Sequence, residues 1–117
     1  MSRVIEILSY RLKPGTGQDF FEIMSTVSVP LHQGQGIDVV WHGRSLDHED
    51  GYGLIRAFAD LDTLEAQQAV FYASEAWRAG PREAIIARID TSAKLVLSVS
   101  HAAIEALRCQ GASAAIG

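Results

Sequence analysis

The side chains in this sequence with a capacity for chemistry fall into separate sets. His42 and Arg44 alternate within one apolar stretch, which puts both on the same side of a strand. An imidazole in such a place can move protons near neutral pH. It can equally sit at a strand edge, hydrogen-bonded to water or a loop. Glu6, Tyr10 and Arg56 interrupt two other apolar stretches. A charge on an otherwise apolar sheet costs on the order of several kcal/mol unless it is paired. Glu6 and Arg56 are therefore expected near each other, with Tyr10 on their face. They serve either as an ion pair that fixes strand register or, in Arg56, as the partner of an oxyanion. Tyr72, Trp77, Arg78 and Arg82 share one segment between two helical pieces. Aromatic rings can stack on a ligand there while a guanidinium holds an anion. The plainer reading has Trp77 closing the core and Arg82 capping a helix or pairing with Glu75.

Other groups carry less. His32, His48 and His101 look peripheral, and the loop Asp47-His48-Glu49-Asp50 offers at most a weak surface ion site. No phosphate-binding loop, dinucleotide fingerprint or nucleophile elbow is present in the sequence. Cys109 has no histidine nearby in sequence to activate it. The reading calls for no metal and no cofactor. The formal net charge is -4 and the only lysines are Lys13 and Lys94, which argues against a nucleic-acid surface. A lone cysteine suits a reducing compartment, and the apolar N-terminal stretch is too short to span a membrane. A cytoplasmic protein is expected.

The elements that must position these groups read as follows. Val4 to Leu12 is a strand apolar on both faces. Lys13-Pro14-Gly15 turns, Thr16 and Asp19 form an approximate capping box, and Phe20, Met24, Val27 and Leu31 give one helical stripe. Pro30 should bend or end that helix. Residues 37 to 45 form a strand with Val39 and Trp41 on one face and Val40, His42 and Arg44 on the other. Leu54 to Ala59 is its antiparallel neighbour. Asp62 opens a helix, Ser74 a short second piece, and Pro81 a third whose stripe is Ile85, Ile86 and Ile89. Ala93 to Ser100 is a last strand, and His101 to Arg108 a short helix. The order β-α-β-β-α-β is the ferredoxin-like α+β arrangement, a four-stranded antiparallel sheet with helices on one face. Residues 1–108 make one domain, and residues 109–117 are expected to be a disordered tail. Because the strands are apolar on both sides, a second copy of the chain is expected to cover the open face.

Glu6-Ile7-Leu8-Ser9-Tyr10-Arg11-Leu12-Lys13-Pro14-Gly15 resembles the opening of NIPSNAP-type domains, which read E-L-R-x-Y-x-L-K-P-G. Leu54-Ile55-Arg56-Ala57-Phe58, followed by Asp60-Leu61, is a second match. Phe71-Tyr72-Ala73-Ser74-Glu75-Ala76-Trp77-Arg78-Ala79-Gly80-Pro81-Arg82-Glu83-Ala84-Ile85 is the longest. The family's first-strand arginine is Leu8 here, so an anion contact made by that residue does not carry over. The resemblance spans residues 3 to 108 and implies a dimeric α/β barrel in which two sheets face each other. Architectural relatives include isomerases, cyclases and cofactor-free monooxygenases, so fold alone does not give function. The expectation is a homodimer that binds a small apolar or aromatic carbonyl compound. As an enzyme it would use general acid/base chemistry, with His42 as proton carrier, Arg56 as oxyanion partner and Tyr72 as donor. Tyr10, Trp41, Arg44, Trp77 and Arg82 would line the ligand. The alternative is a non-catalytic binding or scaffold dimer.

Overall fold

A computed structural model of the chain describes residues 1–116, with side chains through Arg108. Of the tail expected over residues 109–117, residues 109–116 fall within the last helix (His101–Ile116), and residue 117 lies outside the described residues. The chain runs β1 (Ser2–Leu12), α1 (Gly17–Ile23), a π-helical turn (Met24–Ser28), α2 (Val29–Gly34), β2 (Asp38–Arg44) and β3 (Gly51–Phe58). It continues through α3 (Leu61–Ala73), α4 (Glu75–Arg78), α5 (Arg82–Arg88), β4 (Ile89–Ser100) and α6 (His101–Ile116). The four strands form one antiparallel sheet, as the sequence predicts, and its order is β2-β3-β1-β4.

One face of the sheet carries the larger core. Leu8, Leu12, Leu54 and Phe58 meet Phe20, Met24, Phe71, Trp77 and Ile85 from the helices. Each buried aromatic or leucine side chain contributes about 1.5–3 kcal/mol through removal from water. Of the expected α5 stripe, Ile85 is buried while Ile86 faces solvent.

The entry to α1 differs from the expected capping box. Thr16 bonds back to the Lys13 carbonyl through Oγ1 at 2.7 Å and caps nothing. Asp50, from the loop before β3, accepts instead from the Gly15 and Gly17 amides at 3.2 and 3.0 Å. This buried carboxylate satisfies the Gly17 amide, which the helix start leaves free, together with the Gly15 amide of the preceding turn. Gly15 turns at φ 83°, a conformation that glycine adopts without penalty.

Pro30 does not end the helix. Its missing N–H falls at the start of α2, directly after the π-helical turn, where the hydrogen-bond pattern has already shifted. The wider turn also rotates the buried face. Val27 is turned toward solvent, while Ser28, Val29 and His32 become buried. His32 is therefore not peripheral.

A bulge on β2 makes a second correction. The register between β2 and β3 shifts between Val39 and Trp41, leaving Val40 as the extra residue. Val39 shares the helix-side core, and His42 and Arg44 project to that side too. Val40 joins the opposite cluster with Ile5, Ala57 and Ile104, and Trp41 lies on that side as well. Strict alternation would have split these residues differently.

That opposite face is partly covered by the chain itself. Ile104 and Leu107 of α6 pack on Ile5, Val40, Ala57, Ile55 and Val99. Arg108 clamps α6 to β2 with two hydrogen bonds to the Asp38 carboxylate, at 2.8 and 2.9 Å. Those bonds hold the Asp38 carboxyl below its usual range. Leu95 and Leu97, further along the same face, remain exposed.

Candidate functional site

Antiparallel pairing places Glu6 directly opposite Arg56 on the two central strands. Both are buried, at 1% and 2% exposure. Arg56 donates to Glu6 from Nε at 2.8 Å and again from Nη2. Its Nη1 donates to His32 Nε2 at 3.0 Å and to the Tyr72 hydroxyl at 2.8 Å. The other Glu6 oxygen accepts from Gln68 at 2.7 Å. Four of the five guanidinium donors are thus taken by the protein's own groups. Burial works against the Arg56 charge, but Tyr72 and Glu6 beside it more than compensate and raise its pKa. Tyr10 neighbours this cluster, and burial pushes its phenol up, with smaller effects from Tyr72, Arg56 and Glu6.

His42 stands in a separate pair. Its Nδ1 lies 2.6 Å from the Tyr52 hydroxyl, and Phe21 stacks against the ring with centroids 6.2 Å apart. Partial burial lowers its pKa, so the neutral imidazole dominates at pH 7. The structure therefore brings Arg56 and Tyr72 into contact, while His42 bonds to Tyr52.

The segment from Tyr72 to Arg82 divides. Trp77 is buried among Phe71 and Tyr72, with centroids 5.4 and 5.2 Å away, so it packs the core. Tyr72, Arg78 and Arg82 line an open groove on the helical surface together with Glu75 and Glu83. Because the Tyr72 oxygen accepts from Arg56, its own proton is directed elsewhere.

Trp41 and Arg44 border a different concavity, of about 440 Å³, on the sheet face that α6 leaves open. Gly43 and Gly53 are cross-strand partners at its floor. A methyl group on Gly43 would lie 3.0 Å from the Trp41 ring, and one on Gly53 would lie 3.3 Å from it. The indole therefore rests on this glycine pair, one face against backbone. Arg44 reaches the other way, to Gln18 at 2.8 Å and the Glu49 carbonyl at 2.7 Å. Among the described residues no group of three or more His, Cys, Asp or Glu is placed to hold a metal ion. No described helix is long and apolar enough to cross a membrane.

No protein-family model matches the chain. No curated protein matches it either. Solved structures do. A NIPSNAP family protein of unknown function from Agrobacterium tumefaciens superposes with TM-score 0.75 at 19% identity, over 84% of this chain and 88% of that one. An uncharacterised NIPSNAP domain protein from Burkholderia xenovorans gives 0.74 at 15% identity, over 84% and 95%. The chain has the NIPSNAP fold. A more distant match, TM-score 0.60 at 11% identity over 80% and 85%, is a Bacteroides thetaiotaomicron protein whose suggested role is antibiotic biosynthesis monooxygenase.

Within this NIPSNAP fold, His32 and Gln68 join the buried cluster, and the sequence reading missed both. The signal for His32 was its spacing: Phe20, Met24, Ser28 and His32 recur every four residues, which is the buried face once the helix widens.

Proposed function

We propose that this chain is a NIPSNAP-type protein that works as a homodimer, with the open sheet faces of two copies meeting and a small apolar or aromatic molecule held at Trp41. One observation carries the reading. The sheet face that α6 leaves open keeps exposed Leu95 and Leu97 beside a concavity bordered by an indole. Exposed apolar groups gathered on one face mark an interaction surface. A cavity of a few hundred Å³ with an aromatic wall suits a small ligand. The helix-side polar residues point to structure instead, because Glu6, Arg56, His32 and Gln68 satisfy one another. A lone cysteine supports a reducing, cytoplasmic setting.

A catalytic reading keeps one support. Arg56 holds the Tyr72 oxygen at 2.8 Å and leaves its proton free to donate into the groove outside. In that reading Tyr72 is the acid and Arg56 positions it. The native mass spectrum of gently purified protein separates the two readings. Twice the chain mass plus an organic adduct that Trp41→Leu loses and Tyr72→Phe keeps supports binding at Trp41. An adduct lost in Tyr72→Phe alone supports the groove.

A further inference from the structure

We infer that the ligand held at Trp41 is a planar aromatic acid, its ring against the indole and its carboxylate toward Arg11. The inference deepens the proposed function and rests on it for the location of the site. Three rows of residues cross the open sheet face. Leu95, Ile7, Ile55 and Trp41 are paired neighbours and form a bulky apolar wall. Ala93, Ser9, Gly53 and Gly43 form the next row and have almost no side chain to fill the space beside it. Thr91, Arg11 and Gly51 form the third, which is polar. The concavity of about 440 Å³ lies along the middle row.

The bulge at Val40 turns Trp41 onto this face, and the glycine pair lets the indole lie flat against backbone. An indole backed in this way offers its other face to a ring, and offset stacking favours a flat aromatic partner. The apolar wall and shallow floor set the ligand's shape. The rim sets its charge. Arg11, Arg44 and Asp47 are the charged residues lining the concavity, and with the Arg44 guanidinium turned to the other side of the sheet, Arg11 is the cation left on this face, in a chain whose formal net charge is -4. Arg44 donates to Gln18 and Glu49. Asp47 accepts from the Ser45 hydroxyl. The Arg11 side chain is exposed and makes no hydrogen bond to another described residue; Asp47 is near enough to feel its charge but is not bonded to it, so the planar fork of donors is open to a ligand carboxylate. Thr91 is its cross-strand neighbour and adds a hydroxyl.

The test uses 2-naphthoate and its uncharged counterpart, 2-naphthalenemethanol, titrated into the full chain by calorimetry, with sedimentation mass read on the same samples. Naphthoate binds at least tenfold more tightly than the alcohol. Arg11→Gln, a change at an exposed side chain, weakens naphthoate about tenfold and leaves the alcohol unchanged, as loss of one charge-assisted contact predicts. Ala93→Leu, also at an exposed position, fills the trough and abolishes binding of both. Equal affinity for the two compounds, or naphthoate binding indifferent to Arg11→Gln, overturns the assignment of an acid. A dimer that binds neither compound shows that the partner's side chains fill the trough, and overturns this inference while leaving the dimer standing. A monomer that still binds naphthoate through Arg11 keeps the inference and removes the dimer. A monomer that binds neither compound overturns both.

Discussion

Arg56 donates from Nη1 to Nε2 of His32 at 3.0 Å, and that contact fixes the imidazole in one state. The Ser28 carbonyl lies 2.7 Å from Nδ1 and can only accept. Nδ1 therefore carries the proton, and Nε2 presents its lone pair to a guanidinium that can only donate. His32 is a neutral acceptor locked between a helix carbonyl and a buried cation. Burial lowers its pKa to about 4, with Ser28 and Glu6 opposing and Arg56 assisting. Protonation would set a second positive charge against Arg56.

A pH dependence follows, with a definite sign. His32 titrates near 6.5 when unfolded and near 4 when folded, so between those values the unfolded chain binds more protons. Stability is full above about pH 6.5 and falls as the pH drops toward 4, by about 3 kcal/mol if His32 acts alone. His42, whose pKa burial also lowers, acts in the same direction. His32→Gln should flatten the slope in that window, measured by urea unfolding at a series of pH values. An unchanged slope would show that His32 is not held neutral by folding.

Glu6→Gln tests the ion pair. It leaves the Arg56 charge buried without its counter-ion, and breaking such a pair costs about 3–5 kcal/mol. The urea midpoint should fall accordingly at pH 7. A loss below about 1 kcal/mol would mean that the network repairs itself around the amide.

These two central strands were legible in the sequence. Each carries an ionised residue among apolar ones, and their antiparallel pairing puts Glu6 opposite Arg56. Two other positions were not legible, for a shared physical reason: each lies beside an irregularity of one residue. The π-helical turn moves His32 inward and Val27 outward. The bulge at Val40 places Trp41 across the sheet from His42 and Val39. Periodicity reads faces only while the period holds. The cover supplied by α6 was also missed, because its contact depends on the Asp38–Arg108 pairing across 70 positions of sequence.

Gly43→Ala probes the seat of the indole. The new methyl would stand 3.0 Å from the ring and force it to move. A cost of about 1–2 kcal/mol is expected from overpacking, with a changed near-ultraviolet dichroism signal from Trp41. An unaltered spectrum would show that the ring does not rest on the glycine pair.

Asp50→Ala removes the acceptor shared by the Gly15 and Gly17 amides. Loss of that cap should cost roughly 1–2 kcal/mol, read as a lower thermal midpoint. Thr16→Val should cost much less, since the Thr16 hydroxyl bonds only to the Lys13 carbonyl. Equal losses would return the cap to Thr16.

The central claim is that two open sheet faces meet, and sedimentation equilibrium tests it most directly. At micromolar concentration the wild-type chain should sediment at twice the chain mass, and Leu95→Glu, which sets a charge on the exposed apolar row, should sediment at the chain mass while keeping its helical dichroism. A wild-type protein that sediments as a single chain, or a dimer indifferent to Leu95→Glu, would contradict the account.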